Sequence, residues 1–432
     1  MHLLALGWAL VLDRWNFPDS GRYRQAAANV QLHGELYARP WPMQAPQGQA
    51  VQEFTIRPPG YPLVVLGLGA AFAKPVLLLA VQSVLSLFDI GLVLAWWARW
   101  ARPTVKLWLL ALGMIATFPA QLIYAGAVMS ETVLQGMVMA MVVTCLLYIR
   151  EKKARYAGWF VGFLSLALLI KPVFYPLALV VAGAGLLVAG WGRRFALAVI
   201  GLVPVLVVGV YMGWNEHRTG YFHFSSITDI NLLHYNAAGV VRQTAGAVAE
   251  DAWVANVLQE ANATGSFKAR QRVIQARATQ VIAAHPVVYA RQHLQGMTAF
   301  FLDPGRFDIS EFLGLTPPAG GGLLAQVRAG GALRAVGSLP LALLGWLGVV
   351  FAANVGRLWL AWRGFQRLGR AAALWRYGRW VAVGFLLYVA GLTGPLGASR
   401  FLVPVWPLLL ALALAGLPEQ ATPEPAAGGA NG

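Results

Sequence analysis

Apolar residues run through this chain in long blocks separated by short polar connections. The blocks fall at about 76–98, 106–124, 130–149, 156–170, 172–189, 196–213, 339–356, 380–396 and 401–417. A further apolar segment, Met1 to Leu12, reaches a usable length when counted on to Phe17. A membrane-crossing helix needs about 20 predominantly apolar residues, so the pattern predicts about ten spans. Several are short enough to be tilted or bent, notably the pair that meets at Lys171-Pro172. The stretch 62–74 is apolar as well but ends at Lys74-Pro75, and is expected to lie at the interface, because an extra crossing would move the next basic cluster to the wrong side. The expected fold class is all-α: a polytopic helical membrane protein with two outside loops, the second a small, mainly helical lobe.

Composition agrees and excludes other classes. Of 432 residues, 58% are hydrophobic and only 12% charged, against about a quarter charged in soluble domains. That excludes a soluble globular enzyme, a disordered chain and a disulfide-built module; the single cysteine, Cys145, lies inside an apolar block. Lys+Arg 33 against Asp+Glu 17 leaves a net charge of +16. Such a surplus can serve nucleic acid, but no aromatic-interleaved basic stripe accompanies it. The basic residues instead fill connections on one side: Arg99, Arg102 and Lys106; Arg150, Lys152, Lys153 and Arg155; Arg193 and Arg194; and Arg357, Arg363, Arg367, Arg370, Arg376 and Arg379. Apart from Glu151, Asp89, Glu419 and Glu424, every acid lies on or near the other side. The positive-inside rule then places both termini in the cytoplasm of a plasma (inner) membrane protein.

The expected organisation is an N-terminal transmembrane module, 1–213, carrying the first outside loop, 18–60; an outside, mainly helical loop region, 214–338; C-terminal transmembrane helices, 339–417; and a disordered cytoplasmic tail, 418–432. In the second loop, 248–262 and 267–284 contain good helix formers, Pro286 interrupts the latter pattern, and Gly320-Gly321-Gly322 marks a break. Lys268, Arg270, Arg272 and Arg277 would form one basic face, solvated or against headgroups. The N-terminal segment has no basic n-region and no small-residue cleavage site, so a signal peptide is not expected.

The first outside loop holds the candidate chemistry. It opens with Asp19-Ser20-Gly21-Arg22-Tyr23 and closes with Arg57-Pro58-Pro59-Gly60-Tyr61-Pro62. A carboxylate at the mouth of the first span can orient or deprotonate an acceptor hydroxyl or amine. A guanidinium held by two prolines beside an interfacial helix suits a lipid-linked phosphate. The plain alternatives are that Asp19 caps a helix from Ser20 to Gly34 and that Arg57 is an interface anchor.

These segments, with Ala26, Ala27 and Leu32-x-Gly34-Glu35-Leu36-Tyr37 between them, resemble the first outside loop of GT-C glycosyltransferases. That family takes sugars from polyprenyl-phosphate donors and includes protein O-mannosyltransferases and the aminoarabinose transferase of lipid A. Further echoes are Ser130-Glu131-Thr132, Trp214-Asn215, Ala284-His285-Pro286 with Tyr289, and Gly397-Ala398-Ser399-Arg400-Phe401 with Pro404. The resemblance implies that Asp19 matches the family's catalytic Asp. It further implies that Arg57 and Arg400 match basic residues at the donor phosphate, and that single displacement inverts the anomeric centre. Lys171 is a further candidate for the phosphate, or an interfacial snorkelling lysine; Tyr23, Glu53, Tyr61 and Glu131 are candidate donor or acceptor contacts. Two departures stand out: Ser20 follows Asp19 where many members have Glu, and Ile56 stands where the lipid-A type has Glu, a role that Glu53 or Glu131 would have to fill.

The implied partners are a polyprenyl-phosphate-linked sugar, a lipid, glycan or protein acceptor and membrane lipids, with no nucleic acid. No cofactor is implied. His217, His223 and His234, near Glu216 and Asp229, have no recognisable metal spacing, so no metal site is assigned. Asp13 is a weaker catalytic candidate, inside the first apolar stretch. Asp89, mid-span, is expected as an interhelical hydrogen-bond or ion-pair partner, and Asn262-Ala263-Thr264 is an accidental sequon. The rival class is a secondary transporter or lipid flippase, whose paired halves and broken helices would show as a repeat that this chain does not display.

Overall fold

The computed structural model describes residues 1–41, 47–192, 195–315 and 341–418, and these contain helices and no strands. In chain order the helices are α1 (His2–Val11), α2 (Ser20–His33), α3 (Gln47–Gln52), α4 (Gly60–Gly67), α5 (Val76–Ala101), α6 (Val105–Ala116), α7 (Pro119–Ala125), α8 (Glu131–Glu151), α9 (Ala154–Ile170), α10 (Tyr175–Gly192) and α11 (Phe195–Thr219). A lobe follows: α12 (Ile227–Asn231), a π-helical turn Leu232–Ala237, α13 (Ala238–Ala245), α14 (Ala247–Asn262), α15 (Phe267–Ala284), α16 (Pro286–Leu302) and α17 (Arg306–Leu313). The chain closes with α18 (Leu341–Leu368), α19 (Ala373–Thr393), α20 (Ser399–Leu402) and α21 (Trp406–Ala415).

The molecule is a multi-pass helical membrane protein. Among the described residues six helices are long and apolar enough to cross a membrane, or seven if the bent pair α6–α7 is one span. The remaining apolar blocks form shorter helices, His2–Val11, Ala154–Ile170 and the broken Ser399–Ala415. At 1.5 Å per residue, ten residues reach about 15 Å, half of a hydrocarbon core. The first block therefore stops short of the expected Phe17. Asp13 takes a left-handed backbone, φ 54°, just beyond α1, and Pro18 follows. The stretch 62–74 yields only the eight-residue α4. Conversely, α18 runs to Leu368, well past the apolar block that ends at 356.

That extension corrects the placement of Arg357. It belongs to no basic connection: it lies inside α18 and is 1% exposed. Pro119 can neither donate a backbone bond nor sit in a continuing helix, so α6 and α7 meet at 61° and helical carbonyls are freed at the break. Arg357 takes them up. Its Nη1 donates to the Met114 carbonyl at 2.9 Å and to Thr117 Oγ1 at 2.7 Å, and Nη2 donates to the Thr117 carbonyl at 3.0 Å and to Asn354 Oδ1. Phe118 at the elbow stacks on Trp406, 4.1 Å between centroids. Among the described residues no hydrogen bond or ion pair of the expected kind is made by Asp89, which is 2% exposed and whose Oδ2 has no partner there.

The described residues between α11 and α18 form helices. Ser266 Oγ caps α15 by accepting from the Ala269 amide at 3.2 Å, and Pro286 starts a new helix after a break at His285. Of the expected basic face, Lys268, Arg272 and Arg277 are exposed, Arg277 pairing with Glu260, but Arg270 is 3% exposed and donates to Asn262 and to Gln52 of the first loop. Arg193, Arg194, Gly320-Gly321-Gly322 and the tail from 419 lie outside the described residues.

Arg357→Met should strand the Met114 and Thr117 carbonyls in an apolar interior. The expected loss is about 3 kcal/mol, by the cost of hydrogen bonds from a charged donor, read as a lowered unfolding midpoint in detergent. Gln366→Ala, exposed on the same helix, should leave the midpoint within error.

Candidate active site

Five separate segments bring charged side chains to one end of the bundle. Asp19 occupies the position before α2, yet its side chain makes no capping bond, against the simple capping alternative. Ser20 has taken over the local work: its hydroxyl accepts from the Phe17 amide and donates to the Val128 carbonyl, both at 2.9 Å. The Asp19 carboxylate is thus left for long-range partners. Arg57 Nη2 reaches Oδ1 at 2.6 Å and Arg400 Nη2 reaches Oδ2 at 3.2 Å.

The two prolines and Gly60 explain how Arg57 arrives there. A Cβ on Gly60 would sit 2.7 Å from the Leu169 carbonyl, so only glycine lets α4 start against the end of α9. The Arg57 guanidinium lies over the Tyr23 ring at 4.9 Å, and Tyr23 meets Tyr61 edge-on at 4.7 Å. Tyr61 donates to Gln82 Oε1 at 2.8 Å, and the Tyr23 hydroxyl lies 3.4 Å from Ser130 Oγ. Both tyrosines therefore shape the wall behind Arg57.

A second ion pair adjoins the first. Glu131, fully buried at the start of α8, accepts from Lys171 Nζ at 2.8 Å, and Arg400 Nε is 4.0 Å from the same carboxylate oxygen. Among the described residues its other oxygen has no hydrogen-bond partner. Lys171 is thus neither free nor merely snorkelling. The structure joins Asp19, Arg57, Glu131, Lys171 and Arg400 in one cluster of three cations and two carboxylates. Burial alone would raise the Asp19 carboxyl. Arg57, then Arg400 and Lys171, outweigh it and hold the group below its ordinary value.

Glu53 is elsewhere. It is 2% exposed and pairs with Arg22 at 3.3 Å and Arg39 at 3.2 Å, tying α2 to the segment before Arg57. Ile56, where an acid was missing, is fully buried among Ala26, Leu36 and Ala38. Asp13 is exposed and pairs with Lys74 at 3.0 Å. His223 stacks on Tyr221 and fastens Thr55 through Nε2 at 2.8 Å. Among the described residues no three His, Cys, Asp or Glu side chains are grouped to hold a metal.

Sequence reasoning missed one carboxylate beside the cluster. Asp308 of α17, 3% exposed, accepts from Tyr124 Oη at 2.6 Å and from Ser399 Oγ at 2.7 Å. Burial pushes its carboxyl up to about 6, against those two hydrogen bonds. The only sequence cue was the Asp303-Pro304-Gly305 turn before α17.

A groove of about 500 Å³ is lined by Pro59, Leu169, Val203, Val207, Val210 and Trp214. Pro59 is two residues from Arg57, and Leu169 two from Lys171. A second groove, about 590 Å³, lies between α1, α7, α17 and α18.

No protein-family model matches the chain, and no curated protein matches it. Among solved structures the chain resembles ArnT from Cupriavidus metallidurans bound to undecaprenyl phosphate, at 17% identity and a TM-score of 0.37, over 96% of this chain and 75% of that one. The apo form of the same protein gives 16%, 0.34, 96% and 76%. The likeness is distant.

Asp229, the other deeply buried acid of the lobe, accepts from Gln275 at 2.9 Å, and burial raises its carboxyl to about 6. A raised acid stabilises the fold fully below the unfolded value of 3.8 and loses that contribution as pH rises through about 6. Asp229→Asn should therefore remove part of the stability loss between pH about 4 and 6. The unfolding midpoint of the variant and the parent, measured at pH 4.5 and 7, checks it; equal slopes would refute it.

Proposed function

We propose that the chain is an integral-membrane glycosyltransferase of GT-C type, moving a sugar from a polyprenyl-phosphate donor to an acceptor at the outside face. The observation that carries this reading is the Asp19 carboxylate held between Arg57 and Arg400, beside the Glu131–Lys171 pair. In this reading the helix set amounts to about ten passes, with the Asp19 end outside and both termini cytoplasmic, in line with the charge asymmetry of the connections. The division at 213 and 338 separates membrane modules from the lobe.

The chemistry follows from charge and space. The donor's hydrocarbon tail lies in the groove beside Pro59 and Leu169, and its phosphate meets Arg57 and Arg400, with Lys171 behind. Guanidiniums match phosphate oxygens in a planar, bidentate way. As the phosphate takes up part of their charge, Asp19 is released to accept a hydrogen bond from the acceptor hydroxyl. The acceptor oxygen attacks the anomeric carbon, the bond from that carbon to the phosphate oxygen breaks, and its electron pair leaves with polyprenyl phosphate. The acceptor proton passes to Asp19. Arg57 and Arg400 stabilise the leaving group, where negative charge grows in the transition state. One displacement inverts the anomeric centre.

A carboxylate held this low is a poor base in the resting site. Its first role is therefore orientation, and its basicity rises only once phosphate competes for the guanidiniums.

The test is transfer from polyprenyl-phosphate sugars by purified variants. Asp19→Asn should lose about a hundredfold or more in turnover, within the range of general-base effects. Arg57→Ala and Arg400→Ala should lose a similar factor, as for removal of a transition-state donor. Full activity in all three would refute the site. Counterflow of a lipid-linked sugar in proteoliposomes, without covalent product, would instead support the transporter class.

A further inference from the structure

The lobe touches the charged cluster through the turn that delivers Arg400. Three contacts grip that turn. His293 of α16 bonds the Gly391 carbonyl through Nε2 at 2.8 Å. Gly296 of α16 lies so close to the 394–397 backbone that a Cβ on Gly296 would overlap the Gly394 carbonyl, and one on Gly397 would overlap the Gly296 carbonyl. Beyond these, two carboxylates at the end of the lobe are both engaged by Ser399, the residue before Arg400. Asp303 Oδ2 accepts the Ser399 amide at 2.9 Å, and Asp308 Oδ2 accepts its hydroxyl at 2.7 Å.

The clasp is itself held. Asp303 Oδ1 accepts the Gly305 amide at 3.1 Å, and Gly305 takes φ 75°, a left-handed conformation that glycine adopts without cost. Asp308 Oδ1 accepts Tyr124 Oη at 2.6 Å, from α7 in the bundle. Both donors of Ser399 are thereby used, and both by the lobe. Arg400 Nε, in contrast, has no hydrogen-bond partner among the described residues, and the guanidinium is held by the carboxylates of Asp19 and Glu131.

We propose that Asp308, together with Asp303, is a positioning residue for Arg400: by holding Ser399 at its amide and its hydroxyl, the lobe sets where the Arg400 guanidinium meets the departing phosphate. This rests on the reading of Arg400 as a phosphate-contacting residue. A guanidinium that must meet charge as it forms needs its backbone fixed, since misplacement by about 1 Å can cost a hundredfold in rate. The clasp supplies that fixing from a part of the chain that touches neither the groove beside Arg57 nor Asp19. It also gives the lobe a function in transfer besides covering the outside face.

The experiment is a double-mutant cycle on the full chain in lipid nanodiscs. Ser399→Ala and Asp308→Asn are each made alone and in an Arg400→Ala background. Two quantities are read: turnover of a polyprenyl-phosphate sugar, and binding of polyprenyl monophosphate by native mass spectrometry. The expected result is a fall of about tenfold in kcat for each single variant, with little change in KM for the acceptor, and less than about twofold further loss in the Arg400→Ala background. Ser399→Thr, which restores the hydroxyl, should recover most of the loss.

An equal tenfold loss in both backgrounds overturns the proposal, because the clasp would then act on the fold rather than through Arg400. Parental kcat in both single variants overturns it too. If Asp308→Asn fails to fold, Ser399→Ala decides, since it leaves the Tyr124 and Gly305 bonds to the two carboxylates in place. The underlying reading fails differently. A parent that neither turns over the donor nor binds polyprenyl monophosphate, or an Arg400→Ala variant equal to the parent in both readouts, removes the site assignment and this inference with it.

Discussion

One carboxylate shared by two guanidiniums organises this end of the molecule. Asp19, Arg57 and Arg400 are 38 and 381 positions apart along the chain, yet they converge to 2.6 and 3.2 Å. Arg57 is nearly removed from water, its side chain 9% exposed. A charge buried that far persists only if it is paired, and taking one partner away costs more than the pair contributes. The mouth of α1, the start of α4 and the start of α20 therefore cannot drift apart independently. The Glu131–Lys171 pair imposes the same constraint one layer deeper and ties in α8 and the end of α9. Three cations face the carboxylates of Asp19 and Glu131 in the cluster, with Asp308 beside them.

What could be seen in the sequence, and what could not, follows from the range of each interaction. The helices were legible because hydropathy is a local sum, and the lobe helices because caps and prolines act within a turn: 267–284 and the break at Pro286 stand as expected. Asp19, Arg57 and Arg400 could be singled out by local motif, and the structure brings their side chains together. Their pairing was not legible, since nothing local records which distant carboxylate a guanidinium will meet. Arg357 shows the reverse failure. A hydropathy window cannot distinguish an arginine in a connection from one buried against a broken helix, and only the elbow at Thr117–Pro119, 240 residues away, explains it. Glu53 and Glu131 were equivalent on paper; burial beside different cations separates them. Asp308 had no signal beyond a turn, because its partners, Tyr124 and Ser399, lie in other segments.

The two ends of the bundle are built for different tasks. At the end opposite Asp19, arginines lie over rings: Arg367 over Trp100, Arg363 over Trp359, and Arg379 over Phe365 and Trp380. That is the chemistry of an interface anchor, where a charged head and an apolar body meet headgroups. At the Asp19 end Arg57 and Arg400 lie over rings too, those of Tyr23 and Phe401, but both also share the Asp19 carboxylate. In the proposed transferase the same residue type would anchor the molecule at one end and serve catalysis at the other.

The most direct test is a structure of the protein with polyprenyl monophosphate. A transferase working as proposed would show phosphate oxygens at hydrogen-bond distance, about 3 Å, from Arg57 and Arg400, the Asp19 carboxylate released from at least one of them, and the hydrocarbon chain leaving past Pro59 and Leu169. Phosphate held instead by the arginines at the opposite end, with the Asp19 cluster unchanged, would contradict it.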